Sequence, residues 1–430
     1  MYRGVRGKLL ATIGASVPAP LARTMSGVDE LGGRYLALVL RLARHHPGLL
    51  VAYAGPRELR EAVVGEPPTP PIELHDEALR LEEEVAAIPS FSDAEASRAT
   101  WLGAQANALA ALARVVAGEE IALPDLVESL CDLAADREPE AALLAVHRLL
   151  DAALPPGASL RTRLTQHRER TLIPSTHVPA VADEVVAVLR RRASEDLELP
   201  GAETLIVAPI HTDGETWRGR SQAHPPLRTT LEINTGLAWT VEDVVSALGA
   251  EAYPGGHAAR ALRAASAADR RPEALAWLEW APEATIGAGI AAVGLEVLLG
   301  DFELAAELRR IGREHGLTWD AELAIEVRRA HEGLAPAIAN AALLLHHDGL
   351  PESEVRGYLA EIALLEPEAI EAVLSEFRHP LDRVRPFARA LAPRHVRAWL
   401  TEVGQTDGLR RLMIGELTPS SVLERAGAMR

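Results

Sequence analysis

From Val28 to Asp196 the apolar positions recur at helical spacing. Tyr35, Leu38, Val39 and Leu42 fall at i, i+3, i+4 and i+7, one face of a helix. The cluster Pro67-Pro-Thr-Pro-Pro71 ends one unit. Pro89-Ser-Phe-Ser-Asp93 precedes the next helix: either serine suits the N-cap, and Asp93 and Glu95 suit its first turn. That helix carries Leu102, Leu109, Leu112 and Val116, and others are predicted near Leu126–Ala135, Glu138–Ala153 and Val178–Ala193. The texture then changes. Leu199-Pro-Gly201 looks like a linker, and Glu203–Pro209 and Leu227–Asn234 have the β-branched content and length of strands, expected to pair antiparallel around a polar loop, His211–Arg220. Beyond Glu251 the pattern is helical to the end. Ile286, Ile290, Val293 and Val297 form one apolar stripe, with the small residues Ala284, Ala288, Ala291 and Ala292 beside it. Leu343–Leu345, Leu359–Leu365 and Val396–Leu400 are further buried faces. The division expected is an extension over 1–25, taken to be disordered, a helical subdomain over 26–198 and a second subdomain over 199–430.

Composition narrows the function. At 430 residues and 48% hydrophobic content the chain suffices for one large domain or two closely packed ones. A formal net charge of -17 argues against nucleic acid, whose phosphates call for a basic face, and against an anionic membrane surface. No run of about twenty apolar residues is present. Arg3, Arg6 and Lys8 ahead of Leu9–Ala22 resemble a secretory signal, but the apolar part is short and broken by Pro18 and Pro20. The expectation is an acidic cytoplasmic protein. Cys131 is the only cysteine, so neither an internal disulfide nor a cysteine-based zinc site is available, and its apolar helical surroundings suit a small buried hydrophobe.

The stretch Ala247–His257 has the outline of a zinc-hydrolase helix. In that chemistry a His before a Glu binds the metal, the Glu is general base for the metal's water, and a later His is the second ligand. Here Glu251 and His257 are present, but the position before Glu251 is Ala250, which ligates nothing. Glu251 and His257 lie six residues apart, about 240° around an ideal helix, so only a break at Pro254-Gly-Gly256 would bring them together. Two other patterns are decoys. Gly287-Ala-Gly-Ile-Ala-Ala292 matches G-x-G-x-x-A, but Trp280-Ala-Pro-Glu before it is poor strand material. His346 and His347 are neighbours about 100° apart on a helix, and are expected to face solvent at its end. His147, His167 and His177 lie on separate segments and are expected at the surface or capped.

The run Ala250-Glu251-Ala252-Tyr253-Pro254-Gly255-Gly256-His257 resembles the H-E-A-Y-P-G-H-H motif of the domain-of-unknown-function 885 family, bacterial zincin-like peptidases; six of eight positions agree and both mismatches fall at histidines. Arg34–Leu42 and Val51–Leu59 look like that family's opening helix and its Y-x-G-P turn. Ala281–Ala291 looks like P-E-x-x-x-S-E-G-I-A, and Ala339–His346 like N-A-A-L-x-L-H. The resemblance implies a mainly α, zincin-like fold with a small antiparallel sheet beside a cleft, floored by the helices Val241–Arg260 and Pro282–Leu298. It implies a strand that holds a substrate main chain by β-addition. It also implies that the metal ligands are gone: they fall on Ala250, Gly256 and Ala288, while near the C-terminus, where tyrosines serve the oxyanion, the family's tyrosine and glycine fall on Arg389 and Ala392. Glu251 is then a vestigial general base, expected to pair with an arginine or cap a helix end. His257 and Glu283 are remnants beside the old site, and Tyr253, His211 and Asn340 are expected along the cleft, with the Tyr253 hydroxyl bonded in the core.

Three ligands and an open position are what a catalytic zinc needs, and each lost ligand removes several kcal/mol from a binding energy that totals only about 10–16 kcal/mol for structural zinc. The expected function is therefore that of a catalytically inactive, metal-free homologue, a binding or structural protein that holds a peptide in the old cleft or pairs with an active homologue. The alternative is a hydrolase with zinc bound unconventionally through Glu251 and His257, helped by Glu283 or His211. A different enzymatic use of the cleft has no residue signature.

Overall fold

The computed structural model describes residues 27–89, 92–267 and 271–428. The expectation for the N-terminal extension and the candidacy of Ser90 as a cap lie outside these residues. The described chain is mainly helical with small sheets.

Local chemistry starts the helices where the sequence predicts. Ser92 caps the helix Asp93–Val116, its hydroxyl accepting the Glu95 N–H at 3.2 Å. Thr240 and Asp243 form a reciprocal capping box at the start of Val241–Glu251, with bonds of 3.1 and 3.0 Å. Proline opens Pro71–Ala86, Pro282–Leu298 and Pro367–Arg378, where its missing N–H would have had no partner.

The strands differ from expectation. Thr204–Ile210 (β3) and Arg228–Asn234 (β5) are neighbours but run parallel. The segment between them supplies Gly219–His224 (β4), antiparallel to β5, so the order is β3-β5-β4. Inserting β4 reverses the chain once more and makes its flanking strands parallel. Its polar sequence, Gly-Arg-Ser-Gln-Ala-His, hid it. An edge strand buries little and carries charge and polar groups without penalty. Among the described residues two antiparallel ribbons complete the β content: Leu50–Tyr53 (β1) with Ala276–Leu278 (β7), and Leu172–Ile173 (β2) with Trp239–Thr240 (β6).

Two large apolar cores exist, and they do not divide at residue 198. The first joins helices of residues 31–143 to the β7 region and to residues 337–390. The second joins the helix Val178–Leu197 and the β3-β5-β4 sheet to the helices Val241–Glu251, Pro282–Leu298 and Gln405–Ile414. The helix Arg385–Val403 serves both, giving Phe387 and Ala390 to the first and Val396, Trp399 and Leu400 to the second. It lies against Pro282–Leu298 so closely that a Cβ on Gly289 would stand 2.5 Å from Val396 Cγ2 and 2.9 Å from the Ala392 carbonyl oxygen. Gly287 and Gly289 thus sit inside a helix rather than in a strand-to-helix turn, which removes the dinucleotide fingerprint.

This packing separates two glycines on one helix. Gly289→Ala should lose stability, because overpacking costs about 1–3 kcal/mol and outweighs the gain in helix propensity. Gly287→Ala, where a Cβ meets nothing within 4 Å, should gain up to about 1 kcal/mol. Denaturant midpoints moving in the same direction for both would refute the close approach.

Candidate functional site

The motif does not form one helix. Val241–Glu251 ends at Ala252, and a second helix, Gly256–Ala267, starts after a short break. The break is tight: the Gly255 N–H donates to the Gly249 carbonyl at 3.0 Å, and a Cβ on Gly255 would fall 1.8 Å from the Ala250 carbonyl oxygen. No residue with a side chain fits there. Pro254 packs on the helix Pro282–Leu298, where a Cβ on Gly294 would be 2.4 Å from its ring.

The break sends the two halves of the motif to different places. Ala250, Glu251 and Gly256 line a cleft of about 620 Å³, and Ala288 lines the same cleft from the helix Pro282–Leu298. The three positions where the resemblance places metal ligands therefore face one space, on the seam between the two cores. Among the described residues no three His, Cys, Asp or Glu side chains cluster so as to hold a metal ion. The residues present do not fit zinc.

His257 turns inward instead. It is 1% exposed; Nε2 lies 2.7 Å from Glu203 Oε2, and Nδ1 2.8 Å from Thr229 Oγ1. The Tyr253 hydroxyl donates to the same Glu203 oxygen at 2.7 Å, and Arg190 Nε donates to Glu203 Oε1 at 2.6 Å. Tyr253 is fully buried, as its expected bonded hydroxyl requires, but it does not line the cleft. Burial foremost, then the adjacent Glu203 carboxylate, push its phenol well above the usual tyrosine range, so it stays a donor. Burial works to raise the Glu203 carboxyl, but the donors His257, Tyr253 and Arg190 outweigh it and hold the group down at about 2.

The other expected residues divide. Glu283 lines the cleft, bonded to the buried Arg263; burial raises its carboxyl, and Arg263 opposes the rise. Glu251 accepts the hydroxyl of Ser221 from β4, rather than ending in an arginine pair. His211 is not at the cleft: its side chain is exposed, 3.4 Å from Asp213. Asn340 is not there either; it clamps the backbone of Glu138, accepting its N–H at 3.0 Å and donating to its carbonyl at 2.8 Å. Arg389 reaches the cleft with its guanidinium bonded to Glu376, and Ala392 is buried. Of the decoy histidines, His346 is half-buried on the Phe377 carbonyl, 3.0 Å away, rather than facing solvent. His167 is buried, with Nε2 2.6 Å from Glu242. Cys131 borders the cleft as a buried hydrophobe whose thiol burial pushes up to about 12.

Sequence reasoning missed Arg260, Ser221 and the wall of Trp277 and Trp280. Arg260 sits one helical turn after Gly256 and folds back over it: Nη1 is 2.9 Å from where a Gly256 Cβ would stand. A histidine at 256 would have to displace that guanidinium. The spacing of the two residues is a legible signal, but it acquires meaning only once the second helix is known to start at Gly256.

The buried carboxylate makes a sharp acid-stability prediction. In the unfolded chain Glu203 titrates near about 4.3. Its folded value is lower, so its stabilisation is complete above about pH 4.3 and is lost as pH falls from there toward 2. Glu203→Gln should cost about 3–5 kcal/mol near neutral pH, since it breaks a buried ionic network on one side. It should also flatten the loss of stability between about pH 4.3 and 2. Urea midpoints measured against pH check both; an acid limb as steep in the variant as in the parent would remove Glu203 as its cause.

No protein-family model matches the sequence, and no curated protein matches it significantly. Among solved structures, a candidate lipoprotein from Colwellia psychrerythraea is similar, with a TM-score of 0.54 at 11% identity over 83% of this chain. The match spans 66% of that protein's length. A candidate lipoprotein of unknown function from Shewanella oneidensis aligns over 98% of this chain and 81% of its own at 12% identity, with a TM-score of 0.49. The first likeness speaks to the fold alone, and the second is too loose to add to it.

Proposed function

We propose that this protein is a metal-free, catalytically inactive homologue of a zinc peptidase that keeps the cleft as a binding site. One observation carries the proposal: Ala250, Gly256 and Ala288 border a single cleft, none of them can ligate, and Arg260 lies across Gly256. The Arg260 guanidinium thus brings a positive charge to Gly256, which works against a metal ion there. The rival is a hydrolase working through zinc, Glu251 and His257. It needs both side chains at one water, whereas both His257 ring nitrogens are engaged with Glu203 and Thr229.

Of the two partners expected, a ligand in the cleft has the better support. The 620 Å³ space meets a second of about 430 Å³ at Ala250, Ala288 and Ala291. That one meets a third of about 380 Å³ at Ser246, Arg328 and Glu332. The wall the first two spaces share is made largely of small residues, so they lie close together, which suits an extended ligand such as a peptide. Pairing with an active homologue has no feature of this kind behind it. No single helix among the described residues is long and apolar enough to cross a membrane. The cytoplasm remains the proposed compartment, on the acidic charge and the single cysteine; N-terminal processing or lipidation seen by mass spectrometry of the natural protein would overturn it.

Elemental analysis of protein purified without chelator should find no stoichiometric zinc, before or after zinc is added, and no cleavage of unstructured peptide substrates. Stoichiometric zinc with turnover would favour the rival. The guanidinium lying over Gly256 sharpens an engineering test. Ala250→His, Gly256→His and Ala288→Glu together should bind zinc weakly while Arg260 remains, and at one ion per chain when Arg260→Ala is added. A folded quadruple variant that binds none would refute the placement of the three positions.

A further inference from the structure

Five arginines border the cleft, and four are bonded to carboxylates: Arg220 to Glu232, Arg263 to Glu283, Arg385 to Glu279 and Arg389 to Glu376. Arg260 differs. Its Nε and Nη2 are out of contact with solvent and have no hydrogen-bond partner, and no carboxylate among the described residues lies within ion-pair distance. A guanidinium with two nitrogens shut off from water is costly unless those donors are matched, and it stays charged at any physiological pH. Burial pulls it below the usual arginine range, while the more distant Glu251 and Glu279 push back.

We infer that Arg260 anchors a ligand carrying a single carboxylate, whose apolar body lies along Trp277, Trp280 and the alanine face of the helix Pro282–Leu298. This rests on the proposed metal-free cleft and names the class of its ligand. A carboxylate matches the guanidinium fork: Nη1, the nitrogen not shut off from solvent, takes the first bond, and Nη2 takes the second once the side chain turns toward the cleft. Charge sets the limit at one. The other four arginines are already matched by carboxylates and Glu251 lines the same cleft, so Arg260 leaves one unmatched positive charge: a monoanion neutralises it, and a dianion such as phosphate adds a charge that meets Glu251. The walls fix the rest of the ligand. Leu278, Ile286 and Ile290 join the two tryptophans in an apolar lining, and Ala288 and Ala291 line both this space and the adjoining cavity. An extended chain ending in a carboxylate therefore has its charged end at Arg260 and room for its length. A peptide C-terminus and a free aliphatic acid share this chemistry.

The test is calorimetric titration of the whole protein with N-acetyl-leucyl-leucine and with hexanoate, each against its uncharged amide, and with inorganic phosphate. At least one acid should bind about tenfold tighter than its amide and tighter than phosphate; which acid does so identifies the source. Arg260→Gln should erase the difference between acid and amide with the far-ultraviolet dichroism unchanged. If that variant does not fold, the acid-to-amide ratio of the parent protein and of Arg260→Lys decides. Acid and amide binding alike, no binding up to the solubility limit, tighter binding of phosphate, or a preference surviving in Arg260→Gln overturns the inference. Metal is measured on the same sample. A zinc-free protein indifferent to the carboxylate refutes this inference alone. Acid binding that disappears with chelator assigns the carboxylate to a metal and refutes the metal-free reading as well.

Discussion

The Glu203 carboxylate is the point on which the motif region turns. Four groups converge on it or its neighbours: Arg190 from one helix, Tyr253 from the break, His257 from the next helix, and Thr229 from the central strand through His257. A buried carboxylate with one of these donors missing would leave a charge poorly compensated in a medium that penalises it heavily. With all of them present, the end of one helix, the start of another and the β3-β5-β4 sheet are held in one arrangement. The direction of the chain after Ala252 is set by that arrangement, and the cleft takes its shape from that direction.

The other side of the break is governed by size rather than charge. Gly255 accepts the near contact of the Ala250 carbonyl, and Gly256 leaves the volume that the Arg260 side chain enters. Ala288 faces the same space. Small residues at 250, 256 and 288 border the cleft, and the Arg260 side chain reaches in over Gly256. The cleft lies where the two cores meet, so its walls belong to different packing units, tied together by the helix Arg385–Val403. Such a seam leaves a ligand-sized space without opening either core.

Much of the helical architecture was legible. The apolar faces around Tyr35 and Leu102, the Ser92 cap and the stripe from Ile286 to Val293 are all in place, because helical period and capping are local properties. The sheet was only half legible. β3 and β5 announced themselves through β-branched residues, but β4 has an edge strand's polar composition, and missing it turned a parallel pair into an expected antiparallel one. The subdomain boundary at 198 failed for a related reason: residues 337–390 return to the first core, and no local pattern records a return over such a distance.

At the site, the sequence by itself determined which groups are available: no ligand at 250, 256 or 288, one glutamate at 251, one histidine at 257 and one cysteine in the chain. It also determined that the break at Pro254-Gly-Gly256 would matter, since a continuous helix keeps Glu251 and His257 on different faces. Only the tertiary structure decided which way the break turns. It buried His257 and Tyr253 on Glu203, gave Glu251 to Ser221, left His211 at the surface and Asn340 on the Glu138 backbone, and laid Arg260 over Gly256. The physical reason is that identity is carried by each residue separately, whereas a partner is chosen by groups far away in the chain: Glu203 stands 54 residues before His257.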